Sequence, residues 1–452
     1  MLMLDGTILN TSLPAMAQAL QVQPLTLSAA VTVYLLAAAA VLPLAGWLGD
    51  RFGLRRLFVA AIGLFTLASL ACGLAQDAVQ LVIARVLQGL AAGLMMPAGR
   101  TLAMQGARKE DLIGITALLT WPALFAPVLG PPLGGFITTY VSWRWNFLLN
   151  VPLGLLAVVL IVRWVPRDGE SVRRPLDIVG AASAALGLML LLGGLEWTAH
   201  VVGDAARVPA VATFLAGAAV LAWTVHHLRR IEHPVLSLAP FAHRTFRVAT
   251  ATGGTFVSMC LQATPFLLPL LFQLALGRSA VDAGALLLPY FLGNLAMKSV
   301  STPILLRFGF RSVLVGMGVA NAAAIAAFAL VGPQTPWLAL VLLLVVAGST
   351  RSMFLTASNT IMFADVTPAE RPAASALSTV SMQVAGALGV AVGAILLAIG
   401  QLAHGHAQVA LADFQLAFAA MGAICLLATI SFWRLPRDAG EEMTRATASR
   451  QG

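Results

Sequence analysis

The sequence predicts an all-α membrane protein of about fourteen spanning helices, built as two six-helix repeats with two helices inserted between them. Three observations predict it. Of 452 residues, 59% are hydrophobic and 10% charged, against about 25% charged in ordinary soluble domains. Fourteen apolar runs follow one another, each near the ~20 residues that cross a bilayer as a helix. Two short patterns also recur at near-equal offsets, RFGLR at Arg51 as RFGFR at Arg307, and TALLT at Thr116 as SALST at Ser375.

The runs fall at about 1–20, 27–48, 57–75, 79–104, 112–138, 147–165, 177–198, 208–228, 246–272, 280–303, 312–332, 336–360, 373–400 and 412–433. Backbone groups in lipid must be satisfied within the segment, so these runs read as helices. They lack the every-second-residue alternation of barrel strands. The first run is short: only four residues precede Asp5, and a natural helix beginning upstream is expected, with a short, tilted or interfacial helix as the alternative. The repeats place six-helix bundles at 1–165 and 246–435, an inserted pair with its loops at 166–245, and a polar tail at 436–452. Parallel repeats of this kind build transporters with a substrate site near the midplane.

A net charge of +9 invites a nucleic-acid reading, but the basic residues sit in short clusters between apolar runs. If the chain starts in the cytoplasm, 20 of the 27 lysines and arginines fall in inside loops or the tail, 3 in outside loops and 4 within helices. That bias puts both termini in the cytoplasm. Composition excludes a cytosolic enzyme, a disordered chain and a nucleic-acid-binding domain. Cys72, Cys260 and Cys425 all lie in apolar runs, with no disulfide framework and no metal spacing. The opening MLMLDG lacks the basic segment of a cleavable signal peptide, so none is expected.

The loop after the second run reads GWLGDRFGLRR, from Gly46 to Arg56. Its glycines, Gly53 among them, permit a tight turn. Asp50 can pair with an arginine or cap a helix, and with Arg51, Arg55 and the second copy at Arg307 and Arg311 it reads as a latch that breaks when the halves rock. Fixing topology alone is the plainer alternative. In the fourth run, Arg85 and Gln88 share a face, and Gly89 with Gly93 forms a GxxxG packing edge. A charge inside a membrane helix faces a cavity or a partner, and Asp5 is the expected partner of Arg85. Burial favours the neutral carboxyl and a nearby guanidinium the charged one, so such a pair is a minimal proton-coupling device; a static ion pair is the alternative. The fifth run carries PVLGPPLGG, whose Gly130, Pro131, Gly134 and Gly135 suit a bendable, close-packed helix.

In the second half, Asn294 and Lys298 share a face, as do Arg351 and Asn359. With Arg85 and Arg100 these make four intramembrane cations, and a cavity so lined favours anionic or neutral cargo. Snorkelling or end-capping would explain Lys298 and Arg351 equally well. Trp121, Gln262 and Gln383 are further candidates for the lining. No acidic residue is read inside the second-half helices. No GxxxxGK[ST] loop, HExxH or GxSxG occurs, so neither ATP hydrolysis of that kind nor those catalytic centres is indicated. His404 and His406, in an outer loop, are two ligands at most, so a solvated loop is expected there and no metal site.

These motifs together resemble the major facilitator superfamily, in its fourteen-helix drug:proton antiporter branch. Leu4–Pro14 looks like that branch's first-helix motif and Gly46–Arg56 like its cytoplasmic loop. Arg85–Gly89 looks like its fourth-helix motif, Gly130–Gly135 like its antiporter motif, and Trp143–Gly154 like its entry into the sixth helix. Leu54, where the loop usually has a basic residue, and Pro132 depart from the pattern. The resemblance implies a major facilitator fold, rocker-switch access, and drug export from the bacterial inner membrane, with Asp5 and Arg85 coupling the proton motive force and no cofactor. Partners are then the bilayer, protons and a small molecule, and a periplasmic adaptor is left open. The runner-up cargo is an organic anion or its metal chelate. The rival of another class is a non-transporting sensor or assembly partner.

Overall fold

The computed structural model describes residues 2–42, 44–104, 112–166, 176–200, 204–231, 234–367, 370–405, 408–436 and 439–440. The side chains of some helical residues, Arg100 and Trp121 among them, also lie outside the described set. Every regular element among the described residues is helical, and helix occupies each of the expected runs. The first helix is Leu2–Ala19, and the second is bent by 57° between Ala29–Val41 and Leu44–Phe52. Leu54–Leu74, Ala78–Met104 and Leu112–Tyr140 follow as third, fourth and fifth. The sixth joins Trp145–Leu148 to Asn150–Trp164. Ile178–His200 and Asp204–Leu228 are the inserted pair. Arg244–Ala275, Ala280–Phe308, Phe310–Leu330, Trp337–Ile361, Arg371–His404 and Leu411–Arg434 complete the chain as ninth to fourteenth. Among the described residues, eleven helices are long and apolar enough to cross a membrane, and twelve if the bent pair is one span.

These helices are apolar on every side, which is the pattern of segments bounded by protein on one face and lipid on the other. On the third and fourth helices Leu67, Leu74, Val79 and Ile83 are exposed, while Phe65, Leu81 and Ala84 are buried. So broad an apolar exposure would be a liability in water and is ordinary in a bilayer.

Two compact units divide the chain, residues 1–236 with 279–284, and residues 237–278 with 285–452. In the first, Tyr34, Ala61, Ile62, Phe65, Ala91, Ala92 and Met95 form a buried cluster between the second, third and fourth helices. The inserted pair pack on each other, and the first of them also packs on the second helix. Asp177 staples this pair: its Oδ1 lies 2.9 Å from His227 Nε2 and accepts the Gly180 amide at 2.7 Å, while Oδ2 accepts that of Val235 at 3.4 Å. Burial alone would push this carboxyl up, but those hydrogen bonds outweigh it and hold it below the usual carboxylate range.

The second unit is rich in buried aromatics, with Phe328 on Phe418 at 5.4 Å and Phe354 edge-on to Phe432 at 5.3 Å. Pro265 and Pro269 remove backbone donors within the ninth helix, which widens into a π turn at Leu271–Ala275.

Candidate functional site

Asp5 lies in the first turn of the first helix and Arg85 in the fourth, and the fold joins them. Arg85 Nη1 donates to Asp5 Oδ2 at 2.7 Å, with both side chains 1% exposed. Two charges so deep must be paired and hydrogen-bonded, and here they are. Gln88 Nε2 and Asn150 Nδ2 each donate to Asp5 Oδ1 at 3.1 Å. Arg85 also donates to Gln88 Oε1 at 2.6 Å and, through Nε, to the Ala30 carbonyl at 3.1 Å. Its guanidinium lies 4.0 Å above the Tyr34 ring. Gln88 Nε2 donates to Ser69 Oγ at 2.6 Å, which closes the network against the third helix. A second polar layer, Asn146 to Ser12 at 2.6 Å and to Thr138 at 2.9 Å, ties the sixth helix to the first and fifth.

Glycine lets these helices approach. A Cβ at Gly89 would meet the Tyr34 carbonyl and one at Gly93 the Ala38 carbonyl. Gly130 abuts Thr7, and a Cβ at Gly134 would stand 2.8 Å from the Ile8 carbonyl, so the fifth helix seats on the first. Gly135 faces the Ala280 carbonyl and Gly284 that of Pro131, both contacts inside the first unit.

In the loop, Gly53 takes φ 92° and Gly309 takes φ 73°, each one residue before a new helix. This left-handed backbone is the reason for glycine at both copies. Asp50 is exposed, Gly46 opens on empty space, and Arg51 and Arg311 are half-buried. Arg55 donates to the Val162 carbonyl at 2.6 Å, and Arg307 lies 5.5 Å over the Phe308 ring.

In the second unit, Arg351 donates to Gln262 Oε1, and its guanidinium lies 6.0 Å from the Tyr290 ring. Its Nε is buried with no partner among the described residues. Lys298 Nζ donates to the Thr356 hydroxyl at 2.7 Å. Asn294 and Gln383 are half-buried and Asn359 is exposed. Of the expected lining residues, the fold joins Arg351 with Gln262 and brings Lys298 within reach of the Arg351 charge, while Gln88 belongs to the Asp5 network; the side chains of Arg100 and Trp121 lie outside the described set.

Two expectations need correction. Asp282 and Asp413 do lie within second-half helices, but in first turns, where the helix dipole favours an acid. His404 is not simply a solvated loop residue: it ends the thirteenth helix, with Nδ1 2.9 Å from buried Asp413 Oδ1. His406 lies outside the described residues. No group of three His, Cys, Asp or Glu side chains comes together among the described residues.

Sequence reasoning missed Tyr34, Ser69 and Tyr290 as site members. Tyrosine itself was the available signal, since the chain has only three and two of them lie beneath arginines. Asn150 stood inside a quoted motif without a role.

The Major Facilitator Superfamily profile matches residues 1–260 and 250–450. A proposed multidrug resistance protein, MdtD, of Pectobacterium atrosepticum is 33% identical over 453 residues, covering 99% of this chain and 95% of the relative. The protein of that name in Klebsiella pneumoniae strain 342 is 33% identical over 454 residues, with the same shares covered. Among solved structures, a variant of the nucleoside transporter NupG aligns with a TM-score of 0.66 at 14% identity, covering 95% of this chain and 96% of that one. An auto-inhibited peptide transporter of the POT family aligns equally well, with a TM-score of 0.66 at 14% identity and coverage of 96% and 95%. At that identity the likeness is one of fold.

Proposed function

Because the chain belongs to the Major Facilitator Superfamily, a family of transporters, we propose that it exports amphipathic drugs across the bacterial inner membrane in exchange for protons. The buried Asp5–Arg85 pair carries this reading. When Asp5 takes a proton, Arg85 keeps Gln88 Oε1, the Ala30 carbonyl and the Tyr34 ring, so the fourth helix does not lose every partner of its buried charge. The pair can therefore alternate between a salt bridge and a protonated, separated state in which the guanidinium keeps hydrogen-bond acceptors although it loses its counter-charge. The multidrug names of the bacterial relatives favour drugs as cargo.

The rocking bodies are the six-helix bundles 1–165 and 246–435, with the loops at Asp50–Arg55 and Arg307–Arg311 as latches on the cytoplasmic side. The 20-to-3 bias of basic residues supports cytoplasmic termini. The energy source is the proton motive force, with no bound cofactor.

A second reading, export of an organic anion or its metal chelate, is favoured by one observation. Arg351 has a neutral amide, Gln262, where Arg85 has a carboxylate. Lys298 would add to its field, and Arg100 remains an anion-site candidate on its sequence position alone.

Proton-gradient-driven uptake into inside-out vesicles tests both readings. Wild type and Asp5→Asn are compared on a cationic dye, a neutral drug and a tricarboxylate. Accumulation lost in Asp5→Asn supports antiport, and the compound that moves chooses the cargo. Equal uptake by the variant removes Asp5 as the coupling group. Ligand binding without movement favours a sensor.

A further inference from the structure

We propose that the second unit carries a site for a phosphate-bearing anion, with the headgroup of an anionic phospholipid as its natural source. A cavity of about 350 Å3 is lined by Arg244, Arg247, Val248, Thr252, Ser431 and Arg434. All six belong to one unit. Three arginines line this space, and no acidic residue does among the described residues.

The described acids of the neighbouring segment 365–370 are engaged elsewhere. Glu370 Oε2 lies 2.9 Å from His243 Nε2 and accepts the Thr367 hydroxyl at 2.8 Å. Asp365 accepts the Thr245 hydroxyl at 2.7 Å. Arg247 donates to the Phe241 carbonyl at 3.4 Å. Arg244 and Arg434 have no hydrogen-bond or ion-pair partner among the described residues. Arginine's planar fork of donors suits phosphate oxygens.

The cavity's backbone adds to this. Thr252 is the N-cap of the eighteen-residue helix Gly253–Leu270 and makes no side-chain cap bond. Thr252 lines the cavity, so the N-terminal end of that helix adjoins it, and such an end favours an anion. Gly253 packs so close to Ser431 of the lining that a Cβ would collide with its hydroxyl.

Position selects the source. The arginines end two membrane spans, Arg244–Ala275 and Leu411–Arg434, and exposed Trp433 adjoins Arg434. Tryptophan marks the headgroup level, and basic pockets between spans at that level hold lipid phosphates. A cavity near the lower end of the ~300–1,000 Å3 ligand range fits a headgroup and not its acyl chains. Arginines that only set topology need no shared cavity.

The test uses the full chain in detergent, with thermal stability followed during titration with phosphatidylglycerol, phosphatidylcholine or inorganic phosphate. Wild type is compared with R244Q/R247Q/R434Q, with the charge-preserving R244K/R247K/R434K, and with Arg278→Gln as a control. Stabilisation by phosphatidylglycerol over phosphatidylcholine, weakened by roughly a hundredfold in the glutamine triple variant and largely kept in the lysine variant, establishes the lipid site. Stabilisation by phosphate alone, lost in the same variant, keeps the anion site and makes free phosphate its source. Equal responses to both lipids without a phosphate effect, or an unchanged response in the glutamine variant, overturn the proposal.

Discussion

Tyr34 and Tyr290, 256 positions apart, each hold a glycine of another helix against the backbone carbonyl and an arginine over the ring. The glycines are Gly89 and Gly348, 259 apart, the offset that also relates TALLT to SALST. In that register Arg351 stands seven residues beyond the place of Arg85, about two turns along the same helix face. Each arginine reaches the first helix of its own repeat, where Arg85 finds the Asp5 carboxylate and Arg351 the Gln262 amide. One centre is charge-balanced, and the other keeps a net positive charge.

Arg85→Gln should cost about 3–5 kcal/mol by leaving Asp5 buried without its counter-charge. The double variant Asp5→Asn/Arg85→Gln should be more stable than the sum of the single changes predicts, because it removes both charges. Unfolding measured across the four proteins checks this, and strict additivity would mean that the two do not interact.

Gln262→Glu should give Arg351 the carboxylate it lacks and suppress tricarboxylate uptake at least about tenfold, as expected for losing one charge-assisted contact. Arg351→Gln should do the same. Neither should alter binding of the neutral drug. Tricarboxylate uptake that survives both changes would remove Arg351 from the anion reading.

Gly309→Ala should destabilise by roughly 1–2 kcal/mol, the left-handed penalty for a residue with a Cβ. The space around Gly309 is open, so this cost is conformational. Gly316→Ala, inside the helix that Gly309 precedes and equally open, should stabilise by up to about 1 kcal/mol. Gly53→Ala should match Gly309→Ala in sign if the two loops are copies of one turn.

Asp177→Asn should loosen the inserted helix pair, read as faster amide exchange in Ile178–His200. The Asp177 carboxyl is held below its ordinary range in the folded protein. Its contribution is therefore complete above the unfolded value near ~4 and is lost as pH falls through the lower folded value. The difference between wild type and variant should be full at pH 7 and fade in acid. A difference that instead grew in acid would contradict the hydrogen-bonded carboxylate.

Much of this was legible along the chain. The polarity contrast between apolar runs and basic loops located the helices, because lipid tolerates no unsatisfied backbone. The chain also marked the Arg85 partner by scarcity, since Asp5 was one of few intramembrane acids. Asn150, Ser69 and Tyr34 were illegible as site members because a polar residue on a membrane helix serves ordinary packing equally well. Asp282 and Asp413 were overlooked because their meaning depends on lying in a first turn.

The sequence by itself determined the all-helical membrane class, the family motifs and the two-copy turn at Gly53 and Gly309. These are local properties of hydropathy, glycine geometry and spacing. Only the tertiary structure decided that Asp5 is shared by Arg85, Gln88 and Asn150, that Arg351 meets an amide, and that Arg244, Arg247 and Arg434 line one cavity. Each of those depends on which faces of separate helices meet, and a rotation of one helix by a single residue, about 100°, would undo it.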